Sequence, residues 1–340
     1  SCIQIIDINQ DRLPDVFIGG RVIPGSYPAC PKSFVLVNQG AGKFKDISAQ
    51  FPAIQQAGMV TDAAWDDLNQ DGKKELVLVG EFMPIKIFTL NNKAFEESTS
   101  TFFENSPQGL WNSIRIEDLN RDGKKEMLVG NLGLNSQWKA STEQPMELHY
   151  KDYDQNGSID PILCTYVKGE SVPFMTRDEL LDQMSIMRTR FTDYQSFAEA
   201  KLSDIITEEE QKGEQVWKAT ELKTSLFQLN SKGQFESVKL PWEVQASPIS
   251  AIAILDIDGQ HDLDIVLAGN MHHAKLRIGK MDANSGLILT SKGNLSYEAV
   301  SPQKAGLWLQ GDVRSIQVLG NQLFIGINQR GIFPFKAAKR

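Results

Sequence analysis

Residues 67–75 read DLNQDGKKE and residues 118–126 read DLNRDGKKE, the same acidic nonapeptide with one letter changed. Oxygen-bearing side chains stand at positions 1, 3, 5 and 9 of each, with glycine at position 6. A hard cation such as calcium takes about six to eight oxygen ligands. An acidic loop supplies them from side chains at 1, 3 and 5, a backbone carbonyl at 7 and a carboxylate further on, while glycine at 6 permits the sharp bend. The ligand sets are therefore Asp67, Asn69, Asp71, the Lys73 carbonyl and Glu75, and Asp118, Asn120, Asp122, the Lys124 carbonyl and Glu126. Two further copies keep the frame: Asp7, Asn9, Asp11, the Leu13 carbonyl and Asp15, and Asp152, Asp154, Asn156, the Ser158 carbonyl and Asp160.

A fifth copy, DIDGQHDLD at 256–264, retains Asp256, Asp258, Asp262 and Asp264 but has Gln260 at position 5 and His261 in place of the glycine. Weak binding, another geometry and no binding all stay open for it. Arg12 replaces the glycine in the first copy. Asp, Asn and Gly also make good turns without any ion. A turn does not need the acid at position 9, which four copies keep, and carboxylates gathered within a few ångströms repel unless neutralised. All the ligands are hard oxygens, which disfavours soft or imidazole-seeking metals.

The elements that must hold these loops repeat as well. Short apolar or alternating runs precede them (CIQII, TDAAW, NSIRIE, MELHY, ISAIAIL) and β-rich runs follow (VFIGG, LVLVGE, MLVGN, ILCTYV, IVLAGN). Strand pairs with Gly- or Asn-containing turns come next, as in SFVLVNQGAGKFKDIS and IKIFTLNNKAFEES. Strand, acidic loop, strand, strand, turn, strand makes a four-stranded blade. One such sheet cannot bury both faces, so copies must stack, and the fold predicted is all-β, a β-propeller of six or seven blades over 1–340. The last copy, at 312–335, keeps the strand rhythm without the acidic loop and reads as a closing blade. The rhythm breaks at 176–212, where Thr176, Thr192 and Thr207 each stand three residues before Glu or Gln, as helix capping boxes require. Leu180, Leu181, Met184 and Met187 share a stripe there, suited to packing on the propeller or to a partner or cofactor box.

The 340 residues are 41% hydrophobic and 23% charged, with a net charge of −8. That composition buries a core, and its sign, with no Lys/Arg run, argues against nucleic acid. No apolar run reaches the roughly 20 residues of a membrane helix. The N-terminal SCIQIID reads as a strand rather than a signal peptide, as in a mature or excised segment. Three widely spaced cysteines do not make a disulfide scaffold or a zinc site, although a Cys2–Cys30 bridge is one available pairing.

Asp-x-Asp/Asn-x-Asp-Gly-x-x-Asp between two strands resembles the FG-GAP/VCBS repeat of integrin α-chain propellers. Stretches such as GMVTDAAWDDLNQDGKKELVLVGEFMPIKIF, GLWNSIRIEDLNRDGKKEMLVGNLGLNSQWKAS and PFMTRDELLDQMSIMRTRF are similar to large VCBS-repeat proteins of the Bacteroidetes type, which often carry an ASPIC/UnbV domain. The resemblance implies several bound calcium ions and a secreted or outer-membrane-surface location. It implies no reaction.

In a propeller the strand 1–2 loops lie on one face and the strand 2–3 loops on the other, which leaves the second face for a ligand. Arg21, Trp111, Asn112, Asn131, Trp138, His272, Trp308 and Arg330 fall there, a mixture that suits a glycan or a protein. Trp111 and Trp308 occupy matching repeat positions, which a packing requirement between blades also explains. The function expected is a calcium-stabilised recognition module binding a glycan or a surface or secreted protein. The alternative is a carbohydrate-active enzyme such as a polysaccharide lyase, which would bring Arg21, His272 and Arg330 into one pocket.

Overall fold

A computed structural model describes residues 1–336 except Asp258, Gln260 and His261. Alternation of apolar and polar residues in short runs, broken by left-handed turns, gives a β-propeller-like arrangement of antiparallel sheets. Blade 1 comprises Cys2–Ile6, Asp15–Gly19, Phe34–Asn38 and Phe44–Asp46. Blade 2 comprises Met59–Asp66, Glu75–Pro84, Lys86–Asn91 and Ala94–Glu97, with Gln108–Leu110 added to its second strand. Blade 3 pairs Ser113–Glu117 and Glu126–Gly130 with Ser225–Leu229 and Phe235–Val238. Blade 4 comprises Ile249–Leu255, Asp264–Gly269, Leu287–Ser291 and Tyr297–Val300, and blade 5 the three strands Val313–Leu319, Gln322–Ile327 and Gly331–Lys336.

The first strands of successive blades lie side by side, so the five sheets form an arc about one axis. Each of the four interfaces in that arc has its own apolar core. Ile6, Phe17 and Val35 meet Leu76 and Leu78 between blades 1 and 2, and Val77, Val79 and Ile87 meet Ile114 and Met127 between blades 2 and 3. Leu128 and Leu226 meet Ile252 and Leu267 next, and Ala253 and Val266 meet Ile316 and Ile325 last. Hydroxyls stitch neighbouring blades at shifts in first-strand register: Thr61 donates to the Trp111 carbonyl at 2.8 Å and Ser250 to the Val313 carbonyl at 2.6 Å. Among the described residues, no hydrogen bond or apolar cluster joins blade 5 back to blade 1.

Among the described residues six sheets form, as many as the repeat signatures, but the sheet carrying the fourth acidic loop is not in the arc. It is built from Met146–Lys151, Asp160–Val167, Glu170–Pro173 and Gln215–Ala219 and is inserted between the second and third strands of blade 3. The helices expected at 176–212 belong to this larger insertion. Leu180, Leu181, Met184 and Met187 pack on Ile162 and Cys164 of the inserted sheet, so the stripe is core. The Thr176 and Thr207 capping boxes form. Thr192 does not cap; the Asp193 carboxylate, one residue on, takes the Ser196 amide instead. Cys2 and Cys30 are unbridged thiols.

Candidate functional site

The acidic loops share one internal geometry. The position-9 carboxylate is buried and accepts the backbone N–H of position 2: Ile8 to Asp15 at 2.9 Å, Leu68 to Glu75 at 3.0 Å, Leu119 to Glu126 at 2.9 Å, Tyr153 to Asp160 at 3.0 Å and Ile257 to Asp264 at 2.9 Å. In the first four loops the position-6 amide donates to the position-1 carboxylate, and the position-7 amide to the position-5 side chain, as Gly72 does to Asp67 and Lys73 to Asp71. Position 4 is left-handed in all five, at Gln10, Gln70, Arg121, Gln155 and Gly259. Position 6, where glycine is expected, is left-handed in the first four loops, at Arg12, Gly72, Gly123 and Gly157. The sequence pattern marks position 6 but gives no sign of position 4, because four of its occupants carry side chains.

These bonds leave oxygens unused. Asp7 Oδ1, Glu75 Oε1 and Asp118 Oδ1 are buried without a hydrogen-bond partner. Carboxylate oxygens of Asp152, Asp154 and Asp160 lie within 4.8 Å of one another. Burial, with the charges of Asp71 and Asp67, pushes the Glu75 carboxyl up to about 7. Burial and Asp122 and Asp118 push Glu126 up to about 7, and burial with Asp154 and Asp152 pushes Asp160 up to about 6. An inward oxygen without a donor, in a ring of crowded acids, is what a hard cation satisfies. Asn9, Asp11, Asn69, Asn120, Asn156 and the Leu13, Lys124 and Ser158 carbonyls stand at further oxygen-bearing positions of these loops. In the fifth loop Asp264 takes the Ser291 amide at 3.0 Å, as Asp15 takes the Asn38 amide at 2.8 Å in the first, but Asp256 takes the Gly259 amide at 2.6 Å and Asp262 takes the Ser291 hydroxyl at 3.2 Å. Asp258 lies outside the described residues.

The opposite face is not free. The insertion stands on it, packing Met146, Leu148, Ala219 and Leu222 against Met59 and Phe82 of blade 2 and Met281 of the 270–286 segment of blade 4. Trp217 Nε1 donates to the Pro28 carbonyl of blade 1 at 3.0 Å, and Arg277 stacks on Phe174 at 4.3 Å and pairs with Glu179 at 3.2 Å. Asn131 is fully buried at the base of the insertion, where its amide donates to the Glu221 and Lys223 carbonyls at 2.9 and 3.2 Å. Trp111 is also fully buried, its Nε1 donating to the Met83 carbonyl at 3.1 Å. Neither presents a side chain to a ligand; matching tryptophan positions in the repeat reflect inter-blade packing at Trp111, whereas Trp308 is 57% exposed. Trp138 sets its ring edge-on to Phe174 at 5.7 Å.

The charged candidates are tied to separate partners. Arg21 pairs with Glu81, which also takes the Tyr27 hydroxyl at 3.4 Å. His272 Nδ1 bonds Asp312, whose carboxylate also takes the His272 amide at 2.9 Å. Arg330 donates to the Gln310 carbonyl at 3.0 Å. The axial cavity, about 630 Å³, is lined instead by first strands of all five blades, with Gln4, Thr61, Asp62, Asn112, Arg115 and Arg314 among its polar groups. Burial raises the Asp62 carboxyl, partly offset by the Ile114 amide and by Arg115 at 3.3 Å. Of the ligand candidates read from sequence, only Asn112 reaches this cavity. Asp62, Arg115 and Arg314 were legible only as polar letters in apolar strands.

Residues 7–78 and 67–129 match the FG-GAP-like repeat family, so the chain carries repeats of that type in blades 1 to 3. No curated protein matches the chain. Among the described residues, no helix is long and apolar enough to cross a membrane.

Proposed function

We propose that the chain is a calcium-stabilised recognition module acting outside the cell or on its surface. Its FG-GAP-like repeats mark a propeller-type recognition or adhesion module. The observation that carries the calcium reading is the set of partnerless buried oxygens on Asp7, Glu75 and Asp118. In loops 1 to 4 the side chains at positions 1, 3, 5 and 9 and the carbonyl at 7 would hold the ion, which supplies neutralising charge. Removing calcium with EDTA should lower the melting temperature and excess calcium should restore it, since a ligand of the folded state alone stabilises by mass action. A melting curve indifferent to both would refute the reading.

The ligand we assign is a glycan or a protein, taken at the axial cavity, whose paired Asp62 and Arg115 beside amides and hydroxyls suit hydrogen-bonding recognition. A polysaccharide lyase would need a base beside a charge-neutralising group at one cavity. None of Arg21, His272 and Arg330 lines the axial cavity, so recognition is the reading the geometry favours. A glycan array with Arg115→Ala as control, run beside a uronate-cleavage assay, separates the two.

A further inference from the structure

The outer face of blade 1 carries apolar rows of the kind that the interfaces of the arc bury. On the face of blade 1 turned away from blade 2, Ile3, Ile18 and Phe34 form one cross-strand row and Ile5, Val16 and Leu36 the next. Ile3 is 69% exposed and Ile5 66%, with Phe34 at 37% and Phe44 at 47%. On the outer face of blade 5, Leu319 and Ile332 are also exposed but stand in separate cross-strand rows beside Gln322 and Ser315, so no stripe forms there. Inside the arc the corresponding row of blade 2, Trp65, Leu76 and Phe88, packs against blade 1. A single exposed isoleucine is ordinary on a protein surface, but contiguous rows of them mark an interaction surface.

We infer that the outer face of blade 1 is covered by a further blade of the same repeat type, lying outside these 340 residues and packing on it as blade 1 packs on blade 2. Continuity with the four existing interfaces selects a sheet: rows of alternate side chains interdigitate with the rows of another sheet about 10 Å away. The axial cavity points the same way. Its lining includes the first strands of both end blades, Cys2, Ile3 and Gln4 from one and Arg314, Ser315 and Gln317 from the other, with no bond between them among the described residues. A blade entering there would bury Ile3 and Ile5 and extend the wall of the cavity.

Cysteine accessibility tests this. In a Cys2→Ser, Cys30→Ser background, where the remaining Cys164 is buried, Ile5→Cys should react rapidly with a maleimide in the 340-residue chain at every protein concentration. In the polypeptide as the cell produces it, the same cysteine should react at least ten-fold more slowly. Equal rates in the two would overturn the inference. Protection in the 340-residue chain that disappears on dilution would also overturn it, assigning the face to a second copy. Phe44→Cys, at the rim of the same face, provides the same readout if Ile5→Cys does not fold.

Discussion

The Leu119 amide and the Glu126 carboxylate meet at 2.9 Å inside the third acidic loop. One side chain thus closes the loop and belongs to the ligand set that would face an ion. The two roles separate on substitution. Glu126→Gln keeps an oxygen for Leu119 and removes the charge, whereas Glu126→Ala removes both and leaves a buried donor unmatched, which costs about 1–3 kcal/mol. In EDTA the glutamine variant should therefore melt at or above the parent and the alanine variant below it. On adding calcium both should gain less than the parent, by differential scanning fluorimetry. An undiminished gain for Glu126→Gln would remove Glu126 from the ligand set.

Calcium and protons should compete. Glu75 and Glu126 sit near 7 in the folded chain against an ordinary 4.5, chiefly through burial. A carboxyl raised on folding holds a proton that the unfolded chain releases. Metal-free stability should thus fall as pH rises from the ordinary value towards 7. Binding an ion requires the charged form, so it should release protons at pH 6.5 and few at pH 8. Calorimetric heats at pH 6.5 should then differ between buffers of unequal ionisation enthalpy; identical heats would contradict the linkage.

Loops and strands were legible because each rests on local spacing: the nonapeptide fixes its own hydrogen bonds, and period-two alternation fixes which side of a sheet each residue faces. What local spacing does not encode is which strands become neighbours. DYDQNGSID closes the same bonds as its relatives, so nothing in it reveals that its sheet is an insertion. That fact lives in the pairing of Leu128 with Leu226, on either side of the inserted sheet. The same non-local event buried Asn131 under the insertion and covered the face expected to stay free. Trp111, read both as ligand and as packing, was decided by the neighbouring blades rather than by its own sequence context.

The insertion should loosen as pH rises. His149 lies between Glu214, 3.2 Å from Nδ1, and Glu147, 3.7 Å from Nε2, on the sheet face covered by the helices. Burial pushes the imidazole down, but the two carboxylates outweigh it and the net shift is upward from 6.5. Tyr153 bonds the same Glu214 at 2.8 Å and Lys218 the same Glu147 at 2.7 Å. A group raised on folding contributes fully below its unfolded value and loses that contribution as pH climbs through the folded one. Proteolysis within 177–211 should be slower at pH 6 than at pH 8, relative to an unfolded control peptide. In His149→Gln that dependence should flatten. A steep pH response retained in the variant would assign it to another group.

Arg12 offers the simplest test of loop strain. It stands where loops 2, 3 and 4 have glycine, with φ at 68°. A side chain in the left-handed region costs about 1–2 kcal/mol, partly offset because glycine gives the unfolded chain more freedom. Arg12→Gly should therefore stabilise by about 0.5–1 kcal/mol, read by urea denaturation in EDTA so that ion affinity does not enter. Gly72→Ala and Gly123→Ala should lose a similar amount. An added Cβ meets nothing within 4 Å at either position, so any loss there comes from backbone conformation and not from a clash. A destabilised Arg12→Gly would show instead that the arginine side chain holds the first loop together.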